Sequence, residues 1–223
     1  IVQLGHAGAR SKKDVARAAL EQARVPREPS RTGIESLDWL MNGGLIPTRM
    51  YGVGAETGIG KTVLLGSISE NLNTQGRRHL HISLETPSED IEIRNVARRM
   101  NVNAAQIYDS DQPEHQHVVN NADAYIAQVP DNTFFEWAPG ATYDDIRRYI
   151  VHAIHKHGIE GVIIDYWQLI RGRERGQSEE GHMRDVANRL AALARRENIW
   201  ILIAVQVDES GRVKTSDSIK LAC

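Results

Sequence analysis

The sequence predicts an α/β domain with a mostly parallel central sheet flanked by helices, and three observations carry that prediction. Short apolar runs alternate along the chain with longer amphipathic stretches, the pattern of strands joined by helical crossovers. One run, 161–166, reads Gly-Val-Ile-Ile-Asp-Tyr with no polar break before its carboxylate, as a strand covered on both faces does. Between an apolar run at 50–53 and an amphipathic one at 63–72 lies Ala55-Glu56-Thr57-Gly58-Ile59-Gly60-Lys61-Thr62, the strand, glycine loop and helix of a phosphate-binding site.

Residues 11–23 have Ser11 as a cap and a modest apolar stripe at Val15, Ala19, Leu20 and Ala23, which predicts a short helix. Pro26 and Pro29 set it apart, so residues 1–30 are expected to form a linker and residues 31–223 the α/β domain, incomplete at its C-terminus. A turn and short helix at 32–40 end at Gly43-Gly44. A strand at 50–53 then feeds a helix at 60–75. A strand at 79–84, a charged helix at 88–100 and a weakly amphipathic helix at 113–128 follow. The strand at 133–137 turns at Pro139-Gly140 into a helix from Thr142, with Ile146, Ile150, Ala153 and Ile154 at helical spacing and His157-Gly158 closing it. After the 161–166 strand come a polar loop, a helix at 179–197 whose Met183, Val186, Leu190 and Leu193 face the sheet, and a strand at 199–205.

A chain of 223 residues has room for one domain with a sizeable core. The formal net charge of −2 excludes a globally basic nucleic-acid binder but not a local basic patch. The single cysteine, Cys223, excludes an internal disulfide framework and a cysteine-rich metal site, and fits a reducing cytoplasmic compartment. No apolar stretch approaches bilayer length and the first residues form neither a signal nor a transit peptide, so no membrane partner is expected. The start at Ile1 and the stop after a charged loop predict an excerpt of a longer protein. Nine histidines include His115 and His117, and His152, His155 and His157, without a partner that completes a zinc site; surface positions are expected for most. Trp39, Trp137, Trp167 and Trp200 read as core or interface residues.

Phosphates need converging backbone N–H groups, a cation reaching across them and a hydroxyl on the metal. The cradle formed by Glu56, Thr57, Gly58, Ile59, Gly60, Lys61, Thr62 and Val63 offers these, with Lys61 toward the β- and γ-phosphates and Thr62 on magnesium (Mg2+). Ala55 stands where the general pattern wants glycine, with Gly54 one place earlier. Asp165, at a strand's C-terminal end, is the candidate to orient magnesium through its water shell, or else a turn aspartate that happens to end a buried strand. Glu85 follows the second strand and is the candidate to polarise attacking water, or else a plain capping or solvent carboxylate ahead of the helix that Thr86-Pro87-Ser88 opens. Gln206 follows the last strand, where an amide can hydrogen-bond a γ-phosphate or its water, or serve one of the duller uses of a strand-end glutamine. The loop after Asp165 carries Arg171, Arg173 and Arg175, and the loop after Gln206 carries Arg212 and Lys214; these are the candidate grips on a nucleic-acid backbone. A solvated loop diluted by Glu174, Glu179 and Glu180 is the plainer reading of the same charges. No aromatic stacking platform accompanies them.

In this order the motifs resemble the C-terminal motor domain of the DnaB family of replicative helicases, a branch of the RecA-like ATPases. The matching residues are Thr32-Gly33-Ile34 with Leu37-Asp38 and Gly43-Gly44-Leu45, Ala55 heading the phosphate loop, Ser83-Leu84-Glu85, Asp165-Tyr166-Trp167-Gln168-Leu169, and the 179–197 helix with Gln206. The resemblance implies a RecA-like P-loop fold over 31–223, Mg-ATP hydrolysis with Glu85 as base, Lys61 on the phosphates and Gln206 as γ-phosphate sensor. It implies a homohexameric ring around single-stranded DNA, ATP between subunits, the 11–23 helix docked on a neighbour, and loops 171–178 and 208–218 lining the channel. It also implies 5'-3' translocation, duplex unwinding, primase and helicase-loader partners, and a cytoplasmic location, or the host cytoplasm if the source is a phage. Trp167 stands where leucine is usual, Val207-Asp208 departs from the residues that follow the sensor, and the family's primase-contacting domain and arginine finger fall outside the sequence. A RecA- or KaiC-like DNA-dependent or regulatory ATPase without unwinding is the alternative. A small-molecule kinase and a ring protein that uses ATP only as glue are further ones.

Overall fold

The computed structural model describes residues 11–24, 28–208 and 211. Its helices are α1 (Lys12–Arg24), α2 (Glu35–Leu40), α3 (Lys61–Thr74), α4 (Ser88–Met100), α5 (Pro113–Gln128), α6 (Tyr143–His157) and α7 (Glu179–Glu197). The strands β1 (Met50–Ala55), β2 (His79–Ser83), β3 (Thr133–Trp137), β4 (Gly161–Asp165) and β5 (Trp200–Gln206) form one parallel sheet in the order β1-β5-β4-β2-β3. Several expected boundaries move, and β2 stops at Ser83 rather than Leu84. β1 runs on to Ala55, β4 stops at Asp165 rather than Tyr166, and β5 is shifted one residue later to end on Gln206. Two short 3-10 turns, Ala104–Gln106 and Trp167–Leu169, were not expected; the second fills the start of what read as a polar loop.

Parallel strands joined by helices bury both sheet faces, so two apolar layers form. On one face α6 and α7 pack Ile146, Ile150, Val186, Leu190 and Leu193 against Leu80, Ile82, Val162, Ile164, Ile201 and Ile203. On the other, Leu65, Ile68 and Leu72 of α3 meet Ile163, Trp200, Leu202 and Ala204. Each fully buried aliphatic side chain contributes about 1.5–3 kcal/mol. Trp200 is the largest, and its Nε1 donates to Ser30 Oγ at 3.2 Å. A Cβ on Gly161 would overlap the Trp200 ring, so β4 needs glycine there.

The Thr32-Gly33 turn is closed by Asp38, whose Oδ1 accepts from Thr32 N–H at 2.7 Å and from its hydroxyl at 2.8 Å. Asn71 of α3 donates to Thr32 O at 2.9 Å and fastens the turn to the phosphate-loop helix. Gly33 has φ of 76°, with Asn71 against its Cα, so two constraints require glycine.

His79 and His81 are fully buried, His79 against Ser69 of α3 and His81 against Phe135 of β3. Trp39 is 79% exposed, because the one-and-a-half-turn α2 buries none of its residues. Trp137 is half-exposed, whereas Trp200 is in the core. Along α1, Val15 and Leu20 are exposed. Among the described residues no helix is long and apolar enough to cross a membrane.

Candidate functional site

Because the sheet is parallel, the loops leaving β1, β2, β4 and β5 emerge along one edge. The register aligns their ends, with Ala55 beside Gln206 and Ser83 beside Asp165. Leu84 N–H donates to Asp165 O at 2.8 Å, which seats Glu85 next to the end of β4.

Residues 56–60 make the turn into α3. Gly58 and Gly60 take φ of 81° and 99°, and the left-handed Gly60 stands at the N-cap of α3. Leu64 N–H donates to Gly60 O at 2.9 Å and opens the helical ladder. The N–H groups of Thr62 and Val63 precede it at the positive end of the helix dipole, where an anion is favoured. Glu56 is half-buried, while Thr57, Gly58, Ile59 and Val63 are exposed. Lys61 Nζ donates to Ala55 O at 2.8 Å and Glu56 O at 2.7 Å, so the ammonium lies across the loop. Gln206 donates its side-chain amide to Thr57 Oγ1.

Asp165 is 3% exposed, and its Oδ1 has no hydrogen-bond partner among the described residues. Burial holds its carboxyl above the usual carboxylate range; the Thr62 hydroxyl opposes that shift, Glu85 adds to it, and the charges of Lys61 and Arg94 oppose it. Glu85 is exposed. A buried carboxylate oxygen without a partner, next to a threonine hydroxyl, is a hard oxygen pair suited to Mg2+, which takes few protein ligands and keeps its own waters. Among the described residues no cluster of three or more His, Cys, Asp or Glu is placed for a metal.

Lys61, Thr62, Glu85, Asp165 and Gln206 thus share one edge of the sheet. The arginines divide. Arg171 is pinned through its backbone, donating to Ala141 O at 2.8 Å, whereas Arg173 and Arg175 stand exposed between Gly172 and Gly176. Arg212 and Lys214 lie outside the described residues. One group was missed from the sequence, and another was named there only as part of a motif. Arg94 acts on Asp165 from α4, and its only signal was membership of a charged helix. Gln168 donates to Gln206 O at 2.8 Å, a partnership 38 residues apart that no local pattern announces.

A parallel sheet with a phosphate loop on its first strand and carboxylates at the ends of two others defines a P-loop NTPase of RecA-like fold. The match is specific: the family described as DnaB-like helicase C terminal domain covers residues 30–218, and the chain belongs to that family. The chain is 25% identical over 182 residues to the replicative DNA helicase DnaB of Geobacillus stearothermophilus, covering 80% of this chain and 39% of that protein. It is 26% identical over 151 residues to the DNA repair protein RadA of Campylobacter jejuni, covering 57% of this chain and 33% of that protein. Among solved structures, a DnaB-like replicative helicase described together with its interactions with primase superposes with a TM-score of 0.74 at 18% identity, over 96% of this chain and 53% of that one. The chain therefore spans well under half the length of those curated relatives.

Proposed function

We propose that the chain is the motor domain of an ATP-dependent replicative DNA helicase, with residues 1–30 as linker and 31–223 as the ATPase domain. The observation that carries this reading is the meeting of Lys61, Thr62, Glu85, Asp165 and Gln206 on one sheet edge within a chain of the DnaB-like family. Lys61 exchanges its contacts with the Ala55 and Glu56 carbonyls for β- and γ-phosphate oxygens. The N–H groups of residues 56–63 cradle the phosphates. Thr62 and Asp165 hold magnesium, which when bound supplies charge neutralisation on the phosphoryl group. Glu85, exposed beside Asp165, polarises the attacking water. Gln206 leaves Thr57 for the γ-phosphate and so reports whether it is present.

In the whole protein this chemistry drives a cytoplasmic homohexameric ring along single-stranded DNA in the 5'-3' direction, with ATP between subunits and primase and a loader as partners. If a phage encodes the protein, the compartment is the host cytoplasm. Arg171, Arg173 and Arg175, with Arg212 and Lys214, grip the backbone, so binding is salt-dependent and indifferent to sequence. A RecA- or KaiC-like ATPase without unwinding is the second reading, favoured by the match to the repair protein RadA.

The test is nucleotide binding, turnover and displacement of one strand from a forked duplex by the full-length protein. Lys61→Ala is expected to abolish nucleotide use, and Glu85→Gln to bind nucleotide while turnover falls by about 10²–10⁴. Turnover equal to wild type in either variant overturns the site; DNA-dependent turnover without strand displacement selects the second reading.

A further inference from the structure

We propose that Gln168 is the positioning residue that transmits the state of Gln206 to the arginine loop at 171–178, an inference that rests on the motor reading above. Gln168 sits in the 3-10 turn Trp167–Leu169, directly between Asp165 and that loop. Its Nε2 donates to the main-chain oxygen of Gln206 at 2.8 Å. The Gln206 side chain in turn donates to Thr57 Oγ1 in the phosphate loop. A continuous path of amides therefore runs from the phosphate loop through the end of β5 to the turn that follows β4.

Beyond the turn the path is held at two points. Ile170 O accepts from the His182 ring at 2.9 Å, and Arg171 N–H donates to Ala141 O at 2.8 Å. The turn is thus a short lever between a movable donor and the fixed start of a loop with glycines at both ends, Gly172 and Gly176. When the Gln206 amide turns from Thr57 to a γ-phosphate, the tie between the phosphate loop and the end of β5 is released, and Gln168, bonded to that strand end, passes the change to the turn.

Packing does not explain the choice of glutamine. Gln168 Oε1 is buried without a hydrogen-bond partner among the described residues, and so is the neighbouring Trp167 Nε1. An unpaired buried acceptor destabilises a fold relative to an apolar side chain of the same size. Methionine would fill the space without that penalty but would lack the donor.

The experiment compares full-length wild type with Gln168→Met, which keeps volume and removes the donor, and Gln168→Glu, which keeps length and removes it. Four quantities are read: ATP kcat and KM without DNA, stimulation by oligo-dT, the ratio of oligo-dT affinities with a non-hydrolysable ATP analogue and with ADP, and the calorimetric Tm. The expected result is basal kcat and KM within about twofold, a kept Tm in Gln168→Met and a lower one in Gln168→Glu, whose carboxylate is set against the Gln206 carbonyl, stimulation reduced at least about fivefold and an affinity ratio near one, the binding readout in which coupling between two sites is reciprocal. The proposal is overturned if either folded variant keeps the ratio and the stimulation, or if basal kcat falls in proportion to the stimulated rate. It is also overturned if neither variant folds, which makes Gln168 structural. Wild type that shows neither stimulation nor a ratio fails the motor reading itself, and the tether falls with it; a responsive wild type with a responsive Gln168→Met fails the tether alone.

Discussion

His79 and His81 stand on β2 ahead of the loop that carries Glu85, and burial keeps both neutral. His79 binds Ser69 Oγ at 2.7 Å and Arg77 O at 2.9 Å, and desolvation lowers its pKa to about 4. His81 stacks on Phe135, neither ring nitrogen has a partner among the described residues, and desolvation, then the charge of His79, lowers its pKa to about 3. The ordinary value is 6.5, so above that pH both states are neutral and stability is complete. As pH falls below 6.5 the unfolded chain takes up protons that the fold refuses, and stability is lost progressively toward pH 4 and 3. At pH 5 this amounts to roughly 2 kcal/mol per histidine. Urea titrations should show His81→Leu losing about half as much stability as wild type between pH 7 and 5; an unchanged acid slope contradicts the burial argument. The sequence hid this pair because His-Leu-His-Ile-Ser alternates like a half-exposed strand. Lys61, Thr62 and Asp165 stood out because phosphate and metal chemistry leaves few residue types for those places.

Among the elements, β4 is closely constrained. All five of its residues are buried, β2 and β5 flank it, and Gly161 lies against the Trp200 ring. Gly161→Ala should destabilise by about 3 kcal/mol or more, since neither strand nor ring has room to yield; an unfolding midpoint close to wild type argues against this packing. The strand-helix alternation was readable because the unbroken Val-Ile-Ile run is short, β-branched and bounded by Gly161 and Asp165, whereas Met183, Val186, Leu190 and Leu193 recur at helical spacing. Strand order was not, because β1 pairs with β5 and β2 with β4, strands that do not follow one another along the chain. Nor was the Trp167–Leu169 turn, whose tie to Gln206 is a tertiary contact.

At the scale of the molecule, one sheet edge gathers the candidate chemistry and the loop at 171–178 leaves from that same edge. If the exposed Arg173 and Arg175 each neutralise one DNA phosphate, the Arg173→Ala/Arg175→Ala variant should reduce the slope of log affinity against log salt by about 1.4 for single-stranded DNA. Affinity should fall equally for unrelated sequences, and a slope equal to wild type removes these arginines from the interface. The central claim is that nucleotide turnover at this edge answers to DNA. The most direct measurement is steady-state ATP hydrolysis by the full-length protein, with and without single-stranded DNA at low and moderate salt, beside Glu85→Gln. The account predicts DNA stimulation that weakens with salt and vanishes in the variant; hydrolysis indifferent to DNA, or a variant as active as wild type, would contradict it.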